Sequence, residues 1–328
     1  MSAIGEPDVL RLSEVPEPTI QQETELLVRL KAAGVNPIDT KLRKRGTFYP
    51  EQMPAILGCD GAGIVEAVGA AVRQFRPGDE IYFCQGGLGG HPGNYAEWAI
   101  VDARFAVHKP VSLSFAAAAA APLVLITAWE ALYDRARLQA GQRVLIHAGA
   151  GGVGHVAVQL ARLQGAAVCT TVSTPEKAEF VRSLGADRVI FYTQEDFVQA
   201  ALNWTDGQGV DVTFDTIGGE ILGRSFAATQ VYGDLVTILE PDPATNWKLA
   251  RTRNQRVSFE LMLTPMLQGL IEEQQGQAKI LAQCARLIDQ GDLKIHVSRT
   301  FPLVEAAAAH RSLEAGGAIG KYVLDISA

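Results

Sequence analysis

The chain has 328 residues, enough for two domains that each bury their own core. Its 36 acidic residues outnumber 29 basic ones, and the net charge of −7 comes with no basic stripe, which argues against a nucleic-acid surface. No apolar run reaches the roughly 18 residues needed to span a bilayer. The alanine-rich stretch 115–128 comes nearest and is too short, and no secretory leader is expected at the amino terminus. The four cysteines, Cys59, Cys84, Cys169 and Cys284, form no C-x-x-C pair, so neither a disulfide framework nor a closed structural zinc site is expected. This profile fits a cytoplasmic enzyme with neither a nucleic-acid nor a membrane partner.

Residues 1–114 carry short β-type runs at 26–30, 63–68, 80–83 and 96–101. Turn signals such as Arg76-Pro77-Gly78-Asp79 and His91-Pro92-Gly93-Asn94 separate them. The pattern reads as a small β-rich, barrel-like domain. From residue 115 strands and helices alternate. Strands are predicted at 143–146, 167–172, 188–192, 210–215 and 234–239, with helices at 156–163, 175–184 and 194–204. Such alternation implies a doubly wound parallel sheet with right-handed crossovers. A further apolar strand is predicted at 257–263, then a long helix to Asp289, a helix through Glu314 and a last strand at 321–326.

The run His147-Ala148-Gly149-Ala150-Gly151-Gly152-Val153-Gly154 sits between the strand at 143–146 and the helix at 156–163. It contains G-x-G-x-x-G at Gly149, Gly151 and Gly154. Strand, glycine turn and helix together predict a dinucleotide site, because the glycines let the backbone approach a pyrophosphate. The helix N-terminus then offers N–H groups and a positive dipole end. His147, at the strand end, reads as structural. A site for NAD places an acid about 20 residues further on, against the ribose 2′-hydroxyl. Here that segment is Thr170-Thr171-Val172-Ser173-Thr174, followed by Pro175-Glu176-Lys177. Hydroxyls and an ammonium suit a 2′-phosphate, so NADPH is the expected cofactor, with Ser173, Thr174 and Lys177 toward the phosphate. Glu176 fits the acidic first turn that helices favour.

The chain resembles the quinone oxidoreductase and zeta-crystallin branch of the medium-chain dehydrogenase/reductase superfamily. The resemblance is nearly full length. It is carried by Gly34-Val35-Asn36-Pro37-Ile38-Asp39-Thr40-Lys41, Gly58-Cys59-Asp60-Gly61-Ala62-Gly63, Val72-Arg73-Gln74-Phe75-Arg76-Pro77-Gly78-Asp79, Thr127-Ala128-Trp129, the glycine run at 150–154, Leu184-Gly185-Ala186-Asp187 and Gly320-Lys321-Tyr322-Val323-Leu324. It implies an α/β protein with a GroES-like β-barrel domain split by an inserted Rossmann domain. The expected boundaries are 1–118 with 257–328 for the GroES-like catalytic domain and 119–256 for the NADPH-binding domain. It also implies cofactor contacts from Gly149, Ala150, Gly151, Gly152, Val153, Gly154, Ser173, Lys177, Tyr192 and Lys321, with Thr127 near the nicotinamide.

Zinc-dependent relatives hold a catalytic metal with Cys, His and Cys. The matching positions here are Asn36, Cys59 and Leu123, which do not make a zinc site, so no metal is expected. Cys59 then reads as a small buried thiol. Without a Lewis acid, the favoured acceptor spreads its own charge, as a quinone or an α,β-unsaturated carbonyl does. The expectation is NADPH-dependent hydride transfer to a quinone, with an activated C=C reductase as the alternative and, from another class, a low-turnover NADPH-binding regulator. Asn36 is the candidate donor to the acceptor oxygen or a ribose hydroxyl, set against an Asx turn before Pro37. Tyr49 is a candidate catalytic group; Tyr95 and Lys41 are possible acids or pocket walls. Lys41 stands where some quinone reductases have an aromatic residue, and the loop 85–91 varies in length among relatives. An apolar edge strand at 257–263 and the pairing seen in relatives imply a homodimer.

Overall fold

Strand β1 (Glu25–Val35) begins with strict alternation: Leu26, Val28 and Leu30 point inward while their neighbours do not. They pack with Val65, Ile81, Phe83 and Val101 in one core cluster. Helix α1 (Pro37–Arg45) follows at once, with Pro37 at its first position, where the missing N–H costs nothing. The Asp39 carboxylate takes the Asn36 N–H at 2.8 Å and closes that helix start. Strands β2 (Asp60–Val68), β3 (Glu80–Cys84), β4 (Trp98–Asp102) and β5 (Ala106–His108) complete this half of the barrel. The alanine-rich stretch forms two short helices, α2 (Phe115–Ala119), capped by Ser114, and α3 (Pro122–Trp129), which runs into a π-helical turn, Glu130–Arg135. Small side chains are needed there. A Cβ on Gly34 of β1 would lie 2.3 Å from the Ala119 carbonyl, so α2 and β1 touch through their backbones.

The structure, a computed structural model, describes residues 1–326. The chain divides into two compact units, one of Met1–Leu125 with the residues from Leu263 onward, the other Ile126–Met262. The second unit contains β6 (Arg143–Ile146), α4 (Gly152–Leu163), β7 (Ala167–Val172), α5 (Pro175–Ser183), β8 (Arg188–Phe191), α6 (Phe197–Trp204), β9 (Val210–Asp215), α7 (Gly219–Ala228), β10 (Thr229–Thr237), α8 (Trp247–Thr252) and β11 (Arg256–Phe259). Every ladder is parallel, in the order β11-β10-β9-β6-β7-β8. This is the Rossmann arrangement, with the chain reversing direction across the sheet at β6. Val144, Leu145 and Ile146 of the central strand are fully buried, each contributing roughly 1.5–3 kcal/mol.

Beyond Met262 come α9 (Thr264–Gln268), α10 (Ile271–Gln290), β12 (Val297–Pro302), α11 (Ala306–Ala315) and β13 (Lys321–Asp325). Strand β13 pairs with β1, giving the sheet order β12-β13-β1-β2-β3-β5, with β4 also on β1. The GroES-like barrel is thus built from both ends of the chain. Opposite each other lie Gly34 and Asp60, and Val35 and Tyr322, so the end of β1 meets the starts of β2 and β13. Ala33, Val35, Phe301, Ala309 and Leu324 form a second core under α11. Among the described residues, no helix is long and apolar enough to cross a membrane.

Several boundaries differ from the sequence reading by a few residues, and three of the differences have a visible cause. The strand expected at 257–263 covers only Arg256–Phe259. Glu260 ends it, because its carboxylate is buried against Arg135 Nε at 2.8 Å, and Pro265 then starts α9. The long helix is broken at Gly269, which adopts φ 66°. Strand β10 starts earlier than 234, at Thr229, with a register shift before Asp234 and Tyr232 at φ 63°.

Tyr82 ties α10 to the barrel: its hydroxyl donates to the Leu281 carbonyl at 2.6 Å, and its side chain is fully buried. Tyr82→Phe should cost about 1 kcal/mol of stability, the net worth of one buried hydrogen bond. Denaturant unfolding checks this, and an unmoved midpoint would show that the bond does not hold α10.

Candidate functional site

In the second unit, the chain leaves β6 through Ala148, held at φ 51°, and turns into α4. The turn accepts nothing larger than glycine at two points. A Cβ on Gly149 would lie 2.0 Å from Thr170 Oγ1, and one on Gly154 would lie 2.2 Å from the Ala148 carbonyl. Ala150 and Gly151 complete the bend, and Gly151 N–H donates to Ala148 O at 2.9 Å. Gly152, Val153 and Gly154 form the first turn of α4, whose N–H groups have no acceptor within the helix. That is a cradle for an anion. His155 supports it: its Nδ1 lies 3.0 Å from the Gly151 carbonyl, a contact the sequence reading missed although His155 stands four residues after that glycine.

The 2′-phosphate candidates gather at the carboxyl ends of the next two strands. Lys177 Nζ donates to Ser173 Oγ at 3.3 Å. Thr174 caps α5, accepting the Lys177 N–H at 3.3 Å. Tyr192 follows β8, is 56% exposed, and donates its N–H to the Val172 carbonyl at 3.2 Å, which sets it beside this strand end. No carboxylate stands between Val172 and Thr174. Thr127, in α3, is buried.

His147 is a structural residue. Its ring nitrogens lie 3.3 Å from Thr171 Oγ1 and 3.0 Å from Ser225 Oγ, and Phe197 packs edge-on against it. Burial pushes it down to about 4, so it is neutral at pH 7. The sequence reading also missed a second glycine turn, after β9. Buried Asp215 accepts from the N–H groups of Ile217 and Gly218 and from the Thr237 hydroxyl, and Thr216 Oγ1 donates to the His147 carbonyl at 2.8 Å. It links the ends of β6, β9 and β10.

The first unit holds a buried polar cluster. Asn36 Nδ2 donates to Asp60 Oδ2 at 2.9 Å, and the Asn36 carbonyl oxygen accepts from Lys321 Nζ. Lys321 also donates to Val35 O at 3.0 Å and lies 3.9 Å from Asp60 Oδ2. The other Asp60 oxygen accepts the Leu123 N–H at 2.9 Å. Tyr95 donates its hydroxyl hydrogen to Asp39 Oδ2 at 3.0 Å, and His310 Nε2 lies 3.3 Å from the same hydroxyl. Lys321 is 4% exposed, and Asn36, Asp39 and Asp60 are fully buried. Three expected residues have protein partners here. The Lys321 ammonium faces β1, Asn36 and Asp60. The Asn36 amide is engaged at its oxygen and through one Nδ2 hydrogen. The Tyr95 phenol is committed to Asp39. Tyr49 is half-buried with its ring against Gly90, where an added Cβ would meet it at 3.1 Å, and Lys41 is exposed on α1.

Two family profiles match the chain: an alcohol dehydrogenase GroES-like domain over residues 22–111 and a zinc-binding dehydrogenase over 184–324. A quinone oxidoreductase of Pseudomonas aeruginosa is 34% identical over 324 residues, 98% of this chain and 97% of that protein. The crystal structure of an Escherichia coli quinone oxidoreductase complexed with NADPH superposes with a TM-score of 0.87 at 31% identity, covering 99% of this chain and 98% of that one. A 2-haloacrylate reductase superposes with a TM-score of 0.82 at 30% identity, covering 100% and 99%.

The chain belongs to the quinone oxidoreductase branch of the medium-chain dehydrogenase/reductase superfamily. It is an NAD(P)-dependent oxidoreductase.

In this oxidoreductase the positions matching the zinc ligands of other branches hold different chemistry. Cys59 is fully buried, and burial pushes its thiol well up. Asn36 is bound to Asp60 and Lys321, and Leu123 contributes its backbone N–H. Among the described residues, no three His, Cys, Asp or Glu side chains are gathered as a metal site.

Asp39 is the most displaced carboxyl of the cluster. Burial pushes it up to about 7, against the Asn36 N–H and the Tyr95 hydroxyl, which favour its charge. Asp60 is raised too, chiefly by burial, and held back first by Lys321 and then by the Asn36 amide and the Leu123 N–H. Between the ordinary carboxylate range and about 7, the folded chain keeps a proton on Asp39 that the unfolded chain releases. Stability must therefore fall as pH rises through that window. Asp39→Asn should remove this loss, so its advantage over the wild type should grow from pH 5 to pH 8, by about 2.7 kcal/mol for the two pH units that lie below about 7. Chemical unfolding of both proteins at the two pH values is the check; a constant difference would show that Asp39 ionises normally.

Proposed function

We propose that this oxidoreductase binds NADPH and uses it to reduce a quinone without a metal. The observation that carries the cofactor reading is the Lys177–Ser173 pair at the end of β7, beside exposed Tyr192 and with no carboxylate at the strand end. Gly149, Ala150, Gly151, Gly152, Val153 and Gly154 would hold the pyrophosphate, and Thr127 would lie near the nicotinamide. In this reading residues 119–256 are the NADPH-binding domain, and 1–118 with 257–328 the catalytic domain. The residues that fit the acceptor are Asn36, whose second Nδ2 hydrogen is a donor for a developing oxyanion, and Tyr49, whose phenol is a wall or proton source. Bound NADPH would supply a hydride, and the protein's part is to hold the acceptor and delocalise or neutralise the charge formed on its oxygen.

The acceptor argument rests on Asn36, Cys59 and Leu123. This set offers no Lewis acid to a simple ketone, so the reading favours an acceptor whose conjugation spreads the negative charge. The P. aeruginosa relative and the E. coli structure support a quinone. The 2-haloacrylate reductase supports a second reading, reduction of an activated C=C bond, which meets the same electronic requirement. Oxidation of NADPH by a panel of quinones and enones decides between them; turnover of neither would overturn both.

Lys177 yields a quantitative test. A charge-assisted bond to the 2′-phosphate is worth about 1.5–3 kcal/mol. Lys177→Ala should therefore weaken NADPH binding about 10- to 150-fold and leave NADH binding nearly unchanged. Higher salt should weaken NADPH more than NADH, because this ion pair is partly exposed. A wild-type preference for NADH, or an affinity ratio that the substitution leaves unmoved, would reject the phosphate site.

The same reading includes a homodimer. Strand β11 is the edge of its sheet, with Phe259 56% exposed and Leu261, two residues beyond it, 53% exposed. Uncovered edges of this kind pair with another chain. Light scattering at micromolar concentration should give twice the 35.1 kDa chain mass; a monomer mass would remove the dimer.

A further inference from the structure

We infer that Lys321 is a positioning residue: with Asp60 it clamps the Asn36 carboxamide in one orientation, rather than binding the cofactor. This rests on the proposed role of Asn36 as donor to the acceptor oxygen. An asparagine side chain can rotate by half a turn and exchange its oxygen for its nitrogen at little steric cost. Here the two ends meet opposite charges. The ammonium of Lys321 faces the carbonyl oxygen, and the carboxylate of Asp60 faces the amide nitrogen at 2.9 Å. The flipped amide would set its N–H groups against an ammonium and its oxygen against a carboxylate. Charge-assisted hydrogen bonds of this kind are roughly twice as strong as neutral ones. The clamp takes one Nδ2 hydrogen and leaves the other, so it selects both the identity and the direction of the donor.

The strand order makes the clamp. Asn36 follows β1, Asp60 opens β2 and Lys321 opens β13, and β1 lies between the other two. Charge balance explains why a lysine is needed. Two buried carboxylates, Asp39 and Asp60, share one buried cation. Lys321 lies 3.9 Å from Asp60. Removing it would leave Asp60 as an uncompensated buried charge. The ammonium already has three neighbours of suitable sign, Val35 O, Asn36 Oδ1 and Asp60 Oδ2, so a cofactor phosphate is not required to account for its burial.

The test compares Lys321→Met/Asp60→Asn, which removes both charges together and so leaves no orphan ion, with Asn36→Ala and with the triple variant. Each is measured for NADPH affinity by fluorescence and for kcat and KM with 1,4-benzoquinone. Loss of one oxyanion donor lowers kcat about 100-fold. Asn36→Ala and the charge-free double variant should each show a loss of about that size, with NADPH affinity within about twofold of wild type, and the triple variant should lose no more than either. A weakening of NADPH binding by tenfold or more in the double variant would make Lys321 a cofactor ligand and overturn the inference. Multiplying losses in the triple variant would overturn it as well. A readout independent of turnover keeps the inference separate from the proposed function. In protein labelled with ¹⁵N-asparagine, the two Asn36 amide-proton shifts should be widely split in the wild type and move together in the double variant. If the wild type reduces no quinone, the proposed function fails while these shifts still judge the clamp; a splitting that survives loss of both charges would sink it.

Discussion

The first unit depends on one constraint: a lysine and two aspartates buried within a few side chains of each other at the end of β1. Each ion would cost several kcal/mol to desolvate alone. The arrangement is tolerable because every charge has a partner of opposite sign or carries a proton. Lys321 faces Asp60, and Asp39 is raised to about 7 and sheds its charge below that pH. The partners come from residues 36 to 321, so the cluster exists only when β13 is docked on β1. The carboxyl-terminal strand is therefore part of the site's electrostatics as well as of the barrel. The same coupling explains why α1 starts where it does. Asn36 caps it and Asp39 closes its first turn, so the helix that carries Lys41 is oriented by the buried charges.

The second unit obeys a different constraint, steric rather than electrostatic. Its nucleotide turn is shaped by absence of side chains at Gly149 and Gly154, where a Cβ would fall within 2.0–2.2 Å of other atoms. The backbone polar groups of that turn are satisfied locally: Ala148 N–H by Thr171 Oγ1, Gly151 N–H by Ala148 O, and the Gly151 carbonyl by His155. What remains unsatisfied within the helix is its first-turn N–H set, and that is the feature an anion would use. These local bonds hold the shape of the turn, and a turn held by its own groups has a lower ordering cost on binding.

These two constraints explain what the sequence revealed. The proposed nucleotide site is local. Strand, glycine turn, helix and the Ser173–Lys177 pair all lie within about 35 residues, so spacing alone could locate them. The parallel sheet was legible for a related reason, since its buried strands read as continuous apolar runs such as Val144-Leu145-Ile146. The catalytic half was harder. The family resemblance supplied the idea of a split barrel, but no periodicity in residues 1–114 says that residues 321–325 complete it. Lys321 illustrates the cost: from sequence it is a basic residue near the end of a nucleotide-dependent enzyme, whereas its neighbours Val35, Asn36 and Asp60 lie more than 250 residues away. His310 and Tyr95 escaped notice as a pair for the same reason. The strand expected at 257–263 failed differently. Its apolar pattern is real, but the ladder stops where the buried Glu260 carboxylate pairs with half-exposed Arg135, and a tertiary contact of this kind leaves no mark on local periodicity.

The chemistry of the cluster also bears on the proposed metal-free reaction. A metal ligand set needs nucleophilic lone pairs directed at one point. Asn36, Cys59 and Leu123 do not provide them. The region holds a set of buried hydrogen bonds: Lys321 to Asn36, Asn36 to Asp60, Leu123 N–H to Asp60, Tyr95 to Asp39. Such a network fixes side chains as firmly as coordination does, but its polarising power is that of a neutral amide rather than a divalent cation. It can orient a donor toward an oxygen that already delocalises its charge. It has little to offer an oxygen that cannot, and that asymmetry, more than the fold, is what the proposal of a conjugated carbonyl acceptor rests on.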